Sequence, residues 1–248
     1  MLFPEQGGDV CILIRQLPSF AGWIFYSFYI IFQGGMHVRS HTFKVYTVPV
    51  LRERTQGLIV RELFFPATFI VLILISNYAL SFVPNVKLFD LLVFVAGYSL
   101  GLRRGLTVAA IAWLVYANFN PWGFASAPLL IILIASETLY VFAGVLTNRL
   151  VSRYKRVALL ASAVIATTLY DITTNVYTGI FWAQISNREY FEWIVTALSS
   201  PGALMFMAVH VGSNFIFFSV FGQLLIEGTE KTKEILGWKR GSNSDEYV

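Results

Sequence analysis

Apolar positions in this chain run together in long blocks instead of alternating with polar ones. Six such blocks follow one another, at residues 62–82, 88–102, 105–119, 127–150, 157–185 and 201–226. A helix needs about 20 predominantly apolar residues to cross a hydrocarbon core about 30 Å thick, and the longer blocks reach that length. The second and third are short and meet at Arg103-Arg104, so they read as a tight helical pair beside longer neighbours. Turn chemistry separates the blocks, in Val83-Pro84-Asn85, in Asn118-Phe119-Asn120-Pro121-Trp122-Gly123 and in Ser199-Ser200-Pro201-Gly202. The period-two alternation of a membrane barrel is absent, and a lipid-embedded chain that is not a closed barrel must satisfy its backbone within helices. The pattern predicts an all-α membrane protein with six transmembrane helices.

Composition agrees, with 56% hydrophobic and 13% charged residues among 248 positions and a mean hydropathy of +0.66. A water-soluble domain of this size carries about twice that charge. The single cysteine, Cys11, excludes an intramolecular disulfide and a cysteine-based metal cluster.

Charge placement adds an orientation. With six crossings, one set of flanks collects Arg52, Arg54, Arg61, Arg103, Arg104, Arg149, Arg153, Lys155, Arg156, Lys231, Lys233, Lys239 and Arg240. The opposite set holds only Lys87 and Arg188. Both termini are therefore expected in the cytoplasm. The chain divides into an N-terminal extension over 1–60, a membrane domain over 61–227 and a polar cytoplasmic tail over 228–248. Within the extension, the aromatic stretch at 20–32 is short for a span. It reads as an interfacial helix, a signal-peptide core, or the product of a start assigned upstream of Met36.

Polar groups inside a bilayer are costly and therefore point to function. In the fifth block Thr167, Asp171, Thr174, Asn175 and Thr178 share one helical face. The sixth contributes His210 and Asn214, four apart, with Ser213 beside them. The fourth contributes Glu137, next to Ser136 and three residues before Tyr140. With a rise of ~1.5 Å per residue and the fifth block running outward, Asp171 lies beyond the midplane, and these groups converge on a cavity open to the outside. The structural alternative has the threonines bonding neighbouring helices and Glu137 paired with His210 as packing. Asp90, close to a block edge, reads as a solvated or helix-capping group.

Aromatic residues cluster in two outer loops, Phe119, Trp122 and Phe124 in one and Tyr190, Phe191 and Trp193 in the other. They read as interfacial anchors, or as a lid that stacks on a flat ring. Gly97, Gly101 and Gly105 recur at every fourth position and read as the turn between the two short helices. No phosphate-binding loop, H-E-x-x-H or G-x-S-x-G occurs, and only His210 of the three histidines lies within a block. Neither a metal, a cofactor nor an enzymatic activity is expected on these grounds.

From about Arg61 to Ile226 the chain resembles the S components, the substrate-binding membrane subunits of energy-coupling factor (ECF) transporters in prokaryotic cell membranes. The resemblance rests on the six-helix layout with short second and third helices and on Gly97-x-x-x-Gly101-x-x-x-Gly105. It rests also on Asn120-Pro121-Trp122-Gly123, Gly144 ahead of Asn148-Arg149, and Tyr170-Asp171-x-x-x-Asn175. It implies a subunit that captures a vitamin or related micronutrient at the outer face and delivers it by toppling. Delivery would occur within a complex with a transmembrane T component and two ATPase subunits. The implied cavity is built from helices four to six, nominating Glu137, Tyr140, Asp171, Asn175, His210 and Asn214, with Pro84, Asn85 and Trp122 as lid. The chain departs from the family in its long extension and in lacking an alanine-x-x-x-alanine pair in the first helix. A scaffold of the rod-shape-determining MreD kind, with the polar stripe as glue between helices, is the competing reading.

Overall fold

The computed structural model describes residues 49–121 and 123–238, with side chains from Leu63 onward. Cys11, the stretch at 20–32, Met36 and Trp122 lie outside the described residues. Each apolar block forms helix, and no strand occurs among the described residues. The elements are α1 (Pro49–Leu80), α2 (Phe89–Leu100), α3 (Leu102–Phe119), α4 (Ala127–Arg149), α5 (Ser152–Ser186), α6 (Tyr190–Ser199) and α7 (Pro201–Phe217). A π-helical turn (Phe218–Gly222) then leads directly into α8 (Gln223–Ile235).

The boundaries follow local chemistry. Ser126 and Ser200 accept hydrogen bonds from the backbone N–H groups of Leu129 and Ala203, each with a proline in the first turn that follows. Gly101, at φ 89°, makes the expected tight turn between α2 and α3. Asn187 closes α5 in the left-handed region that suits an amide side chain. Helix α1 begins at Pro49 and runs through the boundary drawn at residue 60, and α8 likewise carries the last helix past residue 227.

Among the described residues, four helical stretches are long and apolar enough to cross a membrane: 63–80, 127–149, 152–186 and 201–235. Their outward faces carry residues such as Ile75, Ile131, Ile165 and Ile216, each 58% exposed or more. Large aliphatic side chains so placed suit lipid rather than water. Helix α2 is the opposite case. All of its residues from Phe89 to Leu100 are buried, as expected for a helix that is apolar all round. It forms the centre of the bundle and touches α1, α3, α4, α7 and α8.

Close approach to that centre depends on glycine. A Cβ on Gly97 would lie 2.5 Å from the Val141 carbonyl oxygen, and one on Gly144 would lie 2.2 Å from the Phe94 carbonyl oxygen. The Gly97-Gly101-Gly105 spacing thus does more than turn the chain, because it also seats α4 against α2.

Residues 190–199, read from sequence as a loop, form the short helix α6 instead. It folds back along α5, with the Ile194 backbone over Gly179 and Trp193 stacked on Trp182 at a ring separation of 6.3 Å. Tyr190 and Phe191 remain exposed.

Candidate functional site

Four helices place ionisable or hydrogen-bonding side chains at one level of the bundle. Asp90 comes from the first turn of α2, Tyr140 from α4, Thr167 and Asp171 from α5, and His210 and Asn214 from α7. His210 stands between two carboxylates, with Nε2 2.7 Å from Asp90 Oδ2 and Nδ1 2.7 Å from Asp171 Oδ1. A nitrogen lone pair facing a carboxylate lone pair at that distance would repel. Each contact therefore holds one proton, whichever atom carries it.

The other partners close the network. The Asn214 amide donates to Asp90 Oδ2 at 2.7 Å and to Thr167 Oγ1 at 2.8 Å. The Tyr140 hydroxyl donates to Thr167 Oγ1 at 2.8 Å, and Thr167 passes its own proton to the Ala163 carbonyl. Asp90, Tyr140, Thr167, His210 and Asn214 are shielded completely from solvent. A polar cluster so buried depends on its members satisfying one another, and here Asn214 Oδ1 and Asp171 Oδ2 are left without a hydrogen-bond partner.

Asp90 is therefore neither solvated nor a cap. The N-cap of α2 is Leu88, which makes no side-chain hydrogen bond. Because α2 is the central helix, its first turn lies inside the protein rather than at the rim. The positive end of the helix dipole also favours a carboxylate there.

Glu137 does not pair with His210, whose two ring nitrogens are already engaged. Its Oε2 instead accepts from Trp113 Nε1 at 3.1 Å, while Oε1 has no hydrogen-bond partner. Trp113→Phe keeps the stacking on Phe89, whose ring lies 4.8 Å away, but removes that donor. It is expected to destabilise the protein by about 1–3 kcal/mol in thermal or chemical denaturation. Glu137→Leu in the same background should recover most of the loss.

The threonine stripe is mostly local. Thr174 and Thr178 of the stripe, and Thr168 and Thr173 beside it, each donate to the carbonyl one turn earlier in α5. Thr167 is the one of the five that joins other helices.

Above this network lies a cavity of about 400 Å³. Its wall includes Asn77 of α1, Trp113 and Tyr116 of α3, Tyr170 and Asp171 of α5, and Lys87 from the α1–α2 loop. Of the residues nominated from sequence, Asp171 and Asn175 line it, and so do Pro84 and Asn85 of the loop. Glu137, Tyr140, His210 and Asn214 are buried and are not among its lining residues; the network meets the cavity wall at Trp113, Asp171 and, by way of Asp90, Lys87. The loop is held over the cavity by Asn85, which sits at φ 61° and donates its amide N–H to the Phe206 carbonyl of α7 at 2.8 Å.

Lys87, Asp90, Asn77 and Trp113 were not nominated from sequence. The signal for the first two was their spacing. Three residues apart across the start of α2, they form an ion pair at 3.4 Å. The Lys87 ammonium also lies 4.3 Å from the centre of the Tyr170 ring and 5.5 Å from that of Trp113. Burial alone would pull its pKa down, but Asp90 foremost, with the other acidic groups around it, outweighs that and holds it above the ordinary lysine value.

No protein-family model, curated protein or solved structure matches the chain.

Proposed function

We propose that the chain is the solute-binding membrane subunit of an importer of the ECF type. It takes a vitamin-like molecule into the cavity beneath the α1–α2 loop. The observation that carries this reading is the cavity itself. Its volume lies within the range of small-molecule sites, about 300–1,000 Å³, and it joins aromatic faces to a few fixed polar groups, as such sites do.

Orientation supports it. In this reading α1, α2, α3, α4, α5 and the continuous α7–α8 helix make six crossings, with both termini in the cytoplasm. Arg103, Arg104, Arg149, Arg153 and Lys155 stand at the ends of α3, α4 and α5 remote from the cavity. The positive-inside rule then turns the cavity outward. The chain has no phosphate-binding loop, so ATP would be consumed by two ATPase subunits reached through a transmembrane T component. Toppling of the loaded subunit would deliver the solute, and the protein has no enzymatic role.

Thermal unfolding of the purified full chain against a vitamin panel tests the proposal. A true ligand present at 100 times its Kd should stabilise by about 2.7 kcal/mol. Asp171→Ala should abolish that shift and the matching uptake in cells that hold the partner subunits. Absence of a stabilising compound across the panel, with uptake unchanged in Asp171→Ala, would remove the basis for the reading.

A further inference from the structure

One polar side chain on the cavity wall is satisfied by nothing in the protein. Asn77 lines the cavity and is only 3% exposed, yet neither its amide nitrogen nor its carbonyl oxygen has a hydrogen-bond partner. Buried amides are rarely left in that state, because each unpaired group forfeits its hydration. It also occupies a helix where leucine would form the turn at least as well. The α5 wall repeats the pattern. Asp171 gives Oδ1 to His210, while its Oδ2 is buried without a partner. The cavity wall therefore carries an unused donor–acceptor pair from one side chain and an unused acceptor from another.

The aromatic wall narrows the chemistry further. Trp113 and Tyr170 would suit a cation, but the Lys87 ammonium already lies over both rings. A second cation would meet it at short range, with Asp90 and Asp171 already matched to Lys87 and His210. What these walls accommodate is an uncharged ring.

Resting on the solute-binding reading above, we propose that the cavity selects an uncharged flat ring whose edge sets an N–H donor beside a C=O acceptor, as in a lactam or cyclic imide. The Asn77 amide lies just beneath the cavity surface, and a turn of its side chain on binding sets the complementary acceptor and donor side by side, the same bidentate geometry by which an amide side chain reads the edge of a nucleobase. Asp171 Oδ2 accepts a further N–H, and Tyr116, the aromatic wall residue that Lys87 does not cover, supplies a ring face.

The test is thermal unfolding of the purified full chain with three ring probes and with Asn77→Leu. The probes are lumazine, 1,3-dimethyllumazine with both imide N–H groups blocked, and the cation 1-methylnicotinamide. Lumazine is expected to raise the midpoint, with the blocked ring and the cation binding about tenfold more weakly or not at all. Asn77→Leu should abolish the lumazine shift while leaving the unliganded midpoint unchanged or higher, because it removes a buried unpaired amide. That combination separates recognition from a structural role, under which the unliganded variant would lose stability.

Equal shifts from lumazine and its dimethyl analogue would overturn the edge assignment and leave solute binding intact. A shift from the cation alone would overturn the charge assignment. A less stable unliganded Asn77→Leu would overturn the role given to Asn77. No shift from lumazine, beside a clear shift from some member of the vitamin panel, would overturn this inference and spare the broader one.

Discussion

Asp90→Ala is expected to destabilise the protein by about 3–5 kcal/mol, the largest single effect in the buried network. The magnitude is that of breaking a buried ion pair by removing one partner, because the remaining charge is left uncompensated. Asp90 Oδ2 receives His210 Nε2 and the Asn214 amide, both at 2.7 Å, while the Tyr140 hydroxyl, 3.3 Å away, gives its proton to Thr167. Its other oxygen faces Lys87. Alanine strands Lys87 and one ring nitrogen of His210, both cationic or proton-sharing, and takes one of two close acceptors from Asn214. Asp90→Asn retains one acceptor and should cost less. Chemical denaturation of Asp90→Ala, Lys87→Met and the double variant measures the dependence. The double variant should be more stable than the sum of the single losses predicts, by 1 kcal/mol or more as is usual for direct partners. Additive losses, or a loss below about 1 kcal/mol for Asp90→Ala, would show that the network does not hold the helices together.

Gly144→Ala is the second large effect, and it acts through backbone alone. The added methyl would lie 2.2 Å from the Phe94 carbonyl oxygen and 2.8 Å from the Tyr98 nitrogen. Neither atom belongs to a side chain that could rotate away, so α4 and α2 must separate. Overpacking of this kind costs about 1–3 kcal/mol. Because α2 carries Asp90, the displacement should also weaken any ligand-induced stabilisation. Gly212, on α7, is the control, since a methyl there meets nothing within 4 Å. Gly212→Ala should be neutral or stabilising by up to about 1 kcal/mol. Equal midpoints for the two variants in detergent would refute the close seating of α2 on α4.

Much of the architecture was legible because the relevant signals are local. Block lengths, the Gly101 turn, the serine caps and the polar face of α5 depend on residues near one another in sequence. The position of α2 was not legible in the same way. A short apolar run reads alike whether lipid or protein surrounds it, and only the encircling helices decide. The misreading of Asp90 followed directly from this, since a residue at the edge of a block was taken to lie at the edge of the membrane. His210 and Asp171 are legible as polar residues within apolar blocks, but their pairing is not, because a helical stripe gives a direction and not the residue at its far end. Helix α6 was missed because its ten residues look like the interfacial aromatics they partly are. Asn77 could have been noticed as an amide amid the apolar turns of α1, but its lack of partners belongs to three dimensions.

The Asn85 contact has a consequence for traffic through the cavity. A single neutral hydrogen bond to the Phe206 carbonyl contributes about 1 kcal/mol, so thermal motion breaks and remakes it readily. Beneath the cavity, by contrast, lie interlocked side chains from four helices, and parting them would expose several charges at once. The Asn85 tip of the loop is thus unlatched cheaply, while its Lys87 end stays anchored to Asp90 and the network below is bolted. On the solute-binding proposal, a solute left to itself would depart by the door through which it came. On that same proposal, passage in the other direction would require work from outside the chain, applied to the whole body rather than to a channel within it.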